Sequence, residues 1–283
     1  MKRRRGVDRV AWGVLCLLTG AGVGLLFLIL GLVAVKGAPA LSLAFFLEES
    51  RNFGAQGGIA YQIAGTVLLM TGAVVLSLPV ALGTALFQTE YLRSPRLRTL
   101  FRQAVYSLNG VPTILFGLVG YLVFGVLLNT GISWLTGTLI LAVMIFPTLE
   151  VSIQESIESI PEAYRDTGLA LGLTPLRMVA SIILPQSAFG IITGALLGLA
   201  RAAGETAAIM FTATTFSGVR LPQSFADPVP TLQTHILALS QDALDPRSIN
   251  QAWGAGLVLL GMVFVLIFIS LCLRYRIRME AES

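Results

Sequence analysis

The stretch "ARAAGETAAIMFTA", residues 200–213, lies in a run from Met178 to Val219 whose only charged residues are Arg201 and Glu205. A hydrocarbon core of about 30 Å is crossed by roughly 20 helical residues, so this run is long enough to span. An arginine at the bilayer centre costs about 2.5–3.5 kcal/mol on insertion scales. Such a residue therefore faces protein or a water-filled route, not lipid. On an ideal helix, Gly190, Gly194, Gly198, Arg201, Glu205, Ala208 and Thr212 fall in one sector about 80° wide. The opposite faces carry Ile191, Ile192, Leu196, Leu197, Leu199 and Phe211. Small residues at every fourth position admit a neighbouring helix closely. Glu205, one turn beyond Arg201, is expected to pair with it at i, i+4.

Two readings of the pair compete. A buried ion pair can simply fix helix register. Yet hydrophobic replacements of similar volume are often as stable as such a pair, and intramembrane charges facing a bundle interior mark substrate or ion paths. The guanidinium fork suits a phosphate-like oxyanion. A carboxylate beside it accepts the O–H that phosphate keeps near neutral pH and sulfate lacks. Arg201, Glu205 and Thr212 are the expected path residues.

The rest of the chain supports a membrane setting. Of 283 residues, 55% are hydrophobic and 12% charged, against about 25% charged in soluble domains. Spans are expected at 10–35, 62–87, 107–128, 133–151, 188–214 and 253–273, as helices because unpaired backbone groups are not tolerated in lipid. No barrel-like alternation is present. The run 10–35 exceeds a cleavable signal core of about 7–15 residues, so it is read as a retained first span. With both termini in the cytoplasm, 14 lysines and arginines fall inside and 4 outside, with Arg201 in the bilayer. That split follows the positive-inside rule. The chain is expected to be a single transmembrane domain with its core at 62–273, a cytoplasmic segment at 155–176 and an outer loop at 215–252. A short amphipathic helix is expected near 232–244. His235 in that loop is read as a surface residue, and Cys16 and Cys272 as packing residues.

Several chemistries are excluded. The chain has two lysines, Lys2 and Lys36, and neither follows a glycine, so no ATP-binding loop of the Gly-x4-Gly-Lys type fits. One histidine supports neither a hydrolase triad nor a metal site. No bound cofactor is expected, and no nucleic acid, since the basic residues flank apolar runs without aromatic interleaving. Energy for any work must come from a gradient or from another chain.

A second constellation is "ESIPEAYRDTGLALGLTPLRMVASIILP", residues 158–185. A short helix over 162–171 with a glycine stop at Gly172 is expected, lying across the inner surface. It is either an interfacial linker or a lever to a cytoplasmic partner. From Gly172, nine residues lead to Ile182-Ile183-Leu184-Pro185, a spacing that resembles the cytoplasmic loop of ABC-importer permeases. There the family's Glu-Ala-Ala is replaced by Asp166-Thr167-Gly168. Together with the Gly-Glu-Thr-Ala context of residues 204–207 and "GVPTILFGLVG" at 110–120, the chain resembles the PstA-type permeases of phosphate importers.

The resemblance implies an all-α type I ABC-importer permease fold in a bacterial inner membrane. It implies that Arg165, Asp166 and Gly172 lie in an ATPase-coupling segment, and that ATP is used by a partner subunit. It also implies a second related permease, two cytoplasmic ATPase subunits and an external phosphate-binding protein. Pro112 and Thr113 are further expected path residues. Another oxyanion such as sulfate or molybdate, the paralogous C-type permease, a gradient-driven transporter and a purely structural membrane subunit remain the alternatives.

Overall fold

The computed structural model describes residues 2–51, 54–214, 220–242 and 245–281. Its helices are α1 (Lys2–Gly37), α2 (Leu43–Leu47), α3 (Ala60–Leu86), α4 (Pro95–Asn109), α5 (Thr113–Gly120), α6 (Trp134–Glu158), α7 (Glu162–Ala170), α8 (Pro175–Met178), α9 (Leu184–Gly204), α10 (Ala207–Met210), α11 (Leu232–Gln241) and α12 (Pro246–Ala281). π-helical turns extend α3 over Phe87–Tyr91 and α5 over Tyr121–Leu127, and join α8 to α9 over Val179–Ile183. A two-residue hairpin, β1 (Ser50–Arg51) and β2 (Gln56–Gly57), lies between α2 and α3. Five helices are long and apolar enough to cross a membrane, and α4 with α5 supplies a sixth if counted as one bent span.

α6 is the central post. Ser133 caps it, its hydroxyl accepting from the Thr136 N–H at 3.2 Å. Ile140, Leu141, Met144, Ile145, Leu149, Ile153 and Ile157 are all buried, so α6 is apolar on nearly every face. α3 packs along one side and α9 along another. The expected glycine ridge does this packing: Gly190 meets Ser156, Gly194 meets Ser152 and Gly198 meets Leu149. α1 lies outside, with Leu17, Phe27 and Val35 exposed. Cys16 and Cys272 are exposed on the outermost helices, which replaces their expected packing role.

Two spans depart from the straight helices expected. The run 107–128 is divided: Ser107–Asn109 completes α4, and the next helix starts at Thr113, turned by 93°. Pro112 has no N–H and disfavours helix at Val111 before it. The run 188–214 stops at Gly204, where Glu205 is extended (φ −83°, ψ 124°) and the chain restarts as the single turn α10. The side chain of Gln233 on α11 donates to the Ala203 carbonyl, satisfying a helix-end acceptor that lipid cannot.

The segment 220–242, expected to form an outer loop, folds back into the bundle. Its carbonyls at Asp227 and Phe225 accept from the N–H groups of Trp134 and Leu135 at 2.8 and 3.1 Å, and the Trp134 and Phe225 rings stack 5.1 Å apart. These bonds fill donors that the start of α6 would otherwise leave open. The expected helix near 232–244 is found as α11; Ala243 and Leu244 lie outside the described residues, as do 215–219 of the same loop. His235, expected at the surface, is buried, with its ring 3.5 Å from the Gln62 amide of α3. The loop descends because α3 is indented at Gly65, where a Cβ would lie 1.9 Å from the Pro230 carbonyl oxygen.

Two outcomes are expected. Gly65→Ala should lower the melting temperature of the purified chain in detergent, costing about 1–3 kcal/mol. Gly83→Ala, whose added Cβ meets open space, should leave it unchanged or raise it by up to about 1 kcal/mol. Burial lowers His235 from 6.5 to about 4. The unfolded chain takes up this proton near 6.5 and the folded chain only near 4, so stability is lost as pH falls through that interval. Melts at pH near 7 and near 4.5 should differ by about 2–3 kcal/mol, and His235→Gln should remove most of the difference.

Candidate functional site at two helix breaks

The breaks at 110–112 and 204–206 meet. α5 packs on α10 so closely that a Cβ at Gly117 would lie 2.9 Å from the Ala208 Cα. Next to this contact, on the last turn of α9, Arg201 is half-buried. Its Nη1 donates to Asn109 Oδ1 at 3.0 Å and to Thr148 Oγ1 at 2.8 Å. Asn109 ends α4 just before the bend, and Thr148 follows Pro147 inside α6. Both acceptors are neutral. Among the described residues the ion pairs are Arg102–Glu158 and Arg165–Glu90, so Arg201 keeps its charge without a direct carboxylate partner.

The i, i+4 pairing expected of Arg201 and Glu205 is therefore corrected. It required a helix running through both residues, and α9 ends between them. Glu205 remains within electrostatic reach of Arg201, half-buried, with the Thr113 side chain beside its carboxylate. Thr113 opens α5, and an acidic group near a helix N-terminus is favoured by the backbone dipoles. Thr212, expected on the same face, is fully buried. Its hydroxyl donates to the Ala208 carbonyl at 2.9 Å and its own carbonyl accepts from the Ser133 N–H at 3.0 Å. Its contacts are those of a packing residue, because the helical register that put it beside Arg201 ends at Gly204.

The structure thus brings together Arg201, Glu205 and Thr113, with Pro112 making the bend. Asn109 and Thr148 went unnoticed in the sequence, although each is a polar residue one or two positions from a helix-disturbing Pro or Gly. Glu150 was missed as well. It is 1% exposed near the end of α6 and accepts from Gln88 Nε2 at 2.6 Å. Its signal was a carboxylate just inside an expected span. No group of three or more His, Cys, Asp or Glu side chains able to hold a metal occurs among the described residues.

In the segment 155–176, α7 forms as expected and Gly172 (φ +73°) ends it. The Leu173 N–H returns to the Gly168 carbonyl at 3.0 Å, and the positive φ suits glycine. Gly168 stands where a Cβ would meet the end of Met178 at 2.6 Å, which explains a glycine in the middle of α7. Asp166 is exposed. Arg165, expected in the same coupling segment, turns inward. Its guanidinium bonds Glu90 at 2.9 Å and the carbonyls of Ile160 and Ile157 at 2.8 and 3.0 Å. A fork with this many internal acceptors fixes α7 to the ends of α3 and α6. The outward surface is apolar: Leu169, Leu171 and Leu176 are 64%, 76% and 74% exposed.

Residues 77–278 match the family described as "Binding-protein-dependent transport system inner membrane component". The phosphate transport system permease protein PstA 2 of Mycobacterium tuberculosis is 30% identical over 268 residues, covering 94% of this chain and 87% of that protein. The probable phosphate transport system permease protein PstA of Methanocaldococcus jannaschii is 31% identical over 279 residues, covering 96% and 94%. Among solved structures, a chain of a bacterial alginate ABC transporter in complex with its pentasaccharide-bound periplasmic protein superposes with TM-score 0.65 at 15% identity, covering 94% of this chain and 95% of that one. A chain of the inward-facing MetNI methionine ABC transporter gives TM-score 0.58 at 16% identity, over 77% and 94%. These solved chains share the fold, that of ABC-transporter permeases. The chain belongs to the family of binding-protein-dependent transport system inner membrane components.

Proposed function

We propose that this protein is the membrane-spanning subunit of an ATP-driven importer that carries inorganic phosphate into the cytoplasm. The observation that carries the reading is the half-buried guanidinium of Arg201, which is held by two neutral acceptors at the junction of two broken helices. Irregular backbone at membrane depth is tolerated where it is buried or lines a cavity, and paired helix breaks are a recurrent way to build an ion site. The phosphate permeases among its relatives supply the substrate class. Arg201 attracts the anion. Glu205 accepts the O–H of a protonated phosphate and so disfavours sulfate.

ATP is hydrolysed on a separate cytoplasmic subunit, and this chain binds no cofactor. The exposed leucines around Gly172, with Asp166, form the surface that seats on that ATPase. Arg165 keeps the surface rigidly joined to the bundle. A second related permease completes the pathway as a heterodimer, and an extracytoplasmic binding protein delivers phosphate to the outer loops. Both termini lie in the cytoplasm.

Two measurements test this. In proteoliposomes holding the assembled complex, Arg201→Met should lower labelled-phosphate uptake by at least about tenfold, the loss expected for a charge-assisted bond, with assembly retained. Uptake equal to wild type would refute the path role. Leu171→Asp with Leu176→Asp should weaken co-purification of the ATPase subunits by about tenfold or more, since two buried leucines are each worth roughly 1.5–3 kcal/mol, while the isolated chain melts as before. Undiminished co-purification would place the ATPase elsewhere.

A further inference from the structure

The five-residue π-turn Phe87–Tyr91 at the inner end of α3 is tied to three other elements. Gln88 donates its amide to Glu150 of α6 at 2.6 Å, and both side chains are buried. Arg98 of α4 donates to the carbonyls of Gln88 and Thr89, each at 3.0 Å. Arg165 of α7 holds Glu90 at 2.9 Å. Glu150 sits two residues from Thr148, and Arg98 shares α4 with Asn109; Thr148 and Asn109 are the two acceptors of the Arg201 guanidinium. Side-chain bonds therefore tie α7 through the π-turn to α4 and α6, the two helices that carry the acceptors of Arg201.

We propose that Gln88 and Glu150 are a positioning pair through which movement of α7 reaches the Arg201 site. The inference rests on the reading of Arg201 as part of the path and of α7 as the ATPase contact. Spatial intermediacy alone does not make a transmission element; an element with two arrangements does. A single buried amide–carboxylate bond beside a π-turn is a contact that can break and re-form, the kind of element required. A carboxylate withdrawn from water needs hydrogen-bond partners, and apolar residues of similar size hold helices together at least as well as a buried polar contact. The Gln88 Oε1 atom, moreover, is buried without a partner, and an orphan acceptor of this kind raises the free energy of the state that contains it. The arrangement is thus one that a slide of α3 against α6 can improve. Gln88 of the pair sits on one of three π-helical turns among the described residues, and such turns are frequent at functional sites.

The test measures phosphate taken up per ATP hydrolysed by the assembled complex in proteoliposomes. Glu150→Leu and Gln88→Leu should each lower this ratio about tenfold, the loss expected of one charge-assisted bond, and the double variant should be no worse than either. Glu150→Gln still accepts from Gln88 and should stay within about twofold of wild type, as a bond-preserving change does. A pair that only holds helices together would reduce the amount of complex and leave the ratio unaltered. That result, additive single losses, or a Glu150→Gln as damaging as Glu150→Leu would each overturn the inference. If the leucine variants fail to assemble, Gln88→Glu places two carboxylates in contact, and adding Glu150→Gln restores an amide–carboxylate pair. Recovery of the ratio in that double variant supports the pair and its absence refutes it. Arg201→Met is measured alongside. Uptake intact there removes the path reading and this inference with it. Uptake lost there, with an unaltered ratio in Glu150→Leu, removes this inference alone.

Discussion

A guanidinium withdrawn from water must be held by hydrogen bonds, and how Arg201 is held shapes the middle of this protein. Its two acceptors come from different helices, Asn109 at the end of α4 and Thr148 within α6. For Asn109 to reach it, α4 has to stop and the chain has to turn, which Gly110, Val111 and Pro112 accomplish. For Glu205 to approach without closing an ion pair, α9 has to stop as well. Each interruption frees backbone groups that lipid cannot satisfy. The outer loop meets part of that cost with the Gln233 side chain at Ala203 and with the Ala213 carbonyl, which accepts from the Val229 N–H at 2.8 Å.

The packing around this point follows from which faces are small. α9 lies against α6 along Gly190, Gly194 and Gly198, so the two backbones approach closely and Arg201, one turn further, arrives beside Thr148. α3 is indented at Gly65 and admits the outer loop. α11 can then enter the bundle, where Thr66 accepts from the Leu232 N–H at 2.9 Å. Apolar burial in the α3–α6–α9 core fixes the frame, and polar contacts at its ends decide where the helices break.

Much of this frame was legible in the chain. Apolar runs located the spans, and the glycine spacing identified the face of α9 that meets α6. The interruption at Gly204 was not legible, because Ala-Arg-Ala-Ala-Gly-Glu-Thr-Ala-Ala carries ordinary helix formers and a single glycine costs only about 1 kcal/mol. At the break, the freed Ala203 carbonyl is met from outside the segment, by Gln233 nearly thirty residues later. His235 was misjudged for the same reason: nothing in its own neighbours reveals that Gly65 makes room for the loop. The sequence places Arg165 in the same segment as Asp166 and Gly172 but does not reveal where its guanidinium goes. Only the fold brings Glu90 and two carbonyl groups from the end of α6 to it. Thr212 lost its assigned face once the helix carrying that face ended.

On the proposed reading of Arg201 as a path residue, its neutral acceptors also bear on how the anion can leave. A carboxylate locked to the guanidinium would compete with every incoming oxyanion, and a site lined by several cations would bind one too tightly to release it. Asn109 and Thr148 hold the fork in place through Nη1 alone, while Nε and Nη2 carry no bond to a described residue. Those remaining donors are what an oxyanion uses in a bidentate contact. In the proposed transport, Glu205, near Arg201 but not ion-paired with it, would weaken the attraction and accept a proton-bearing oxygen. Binding strong enough to draw the anion from water and weak enough to surrender it requires this balance, and the two helix breaks are what allow an arginine and a glutamate four residues apart to stand near each other without closing on one another.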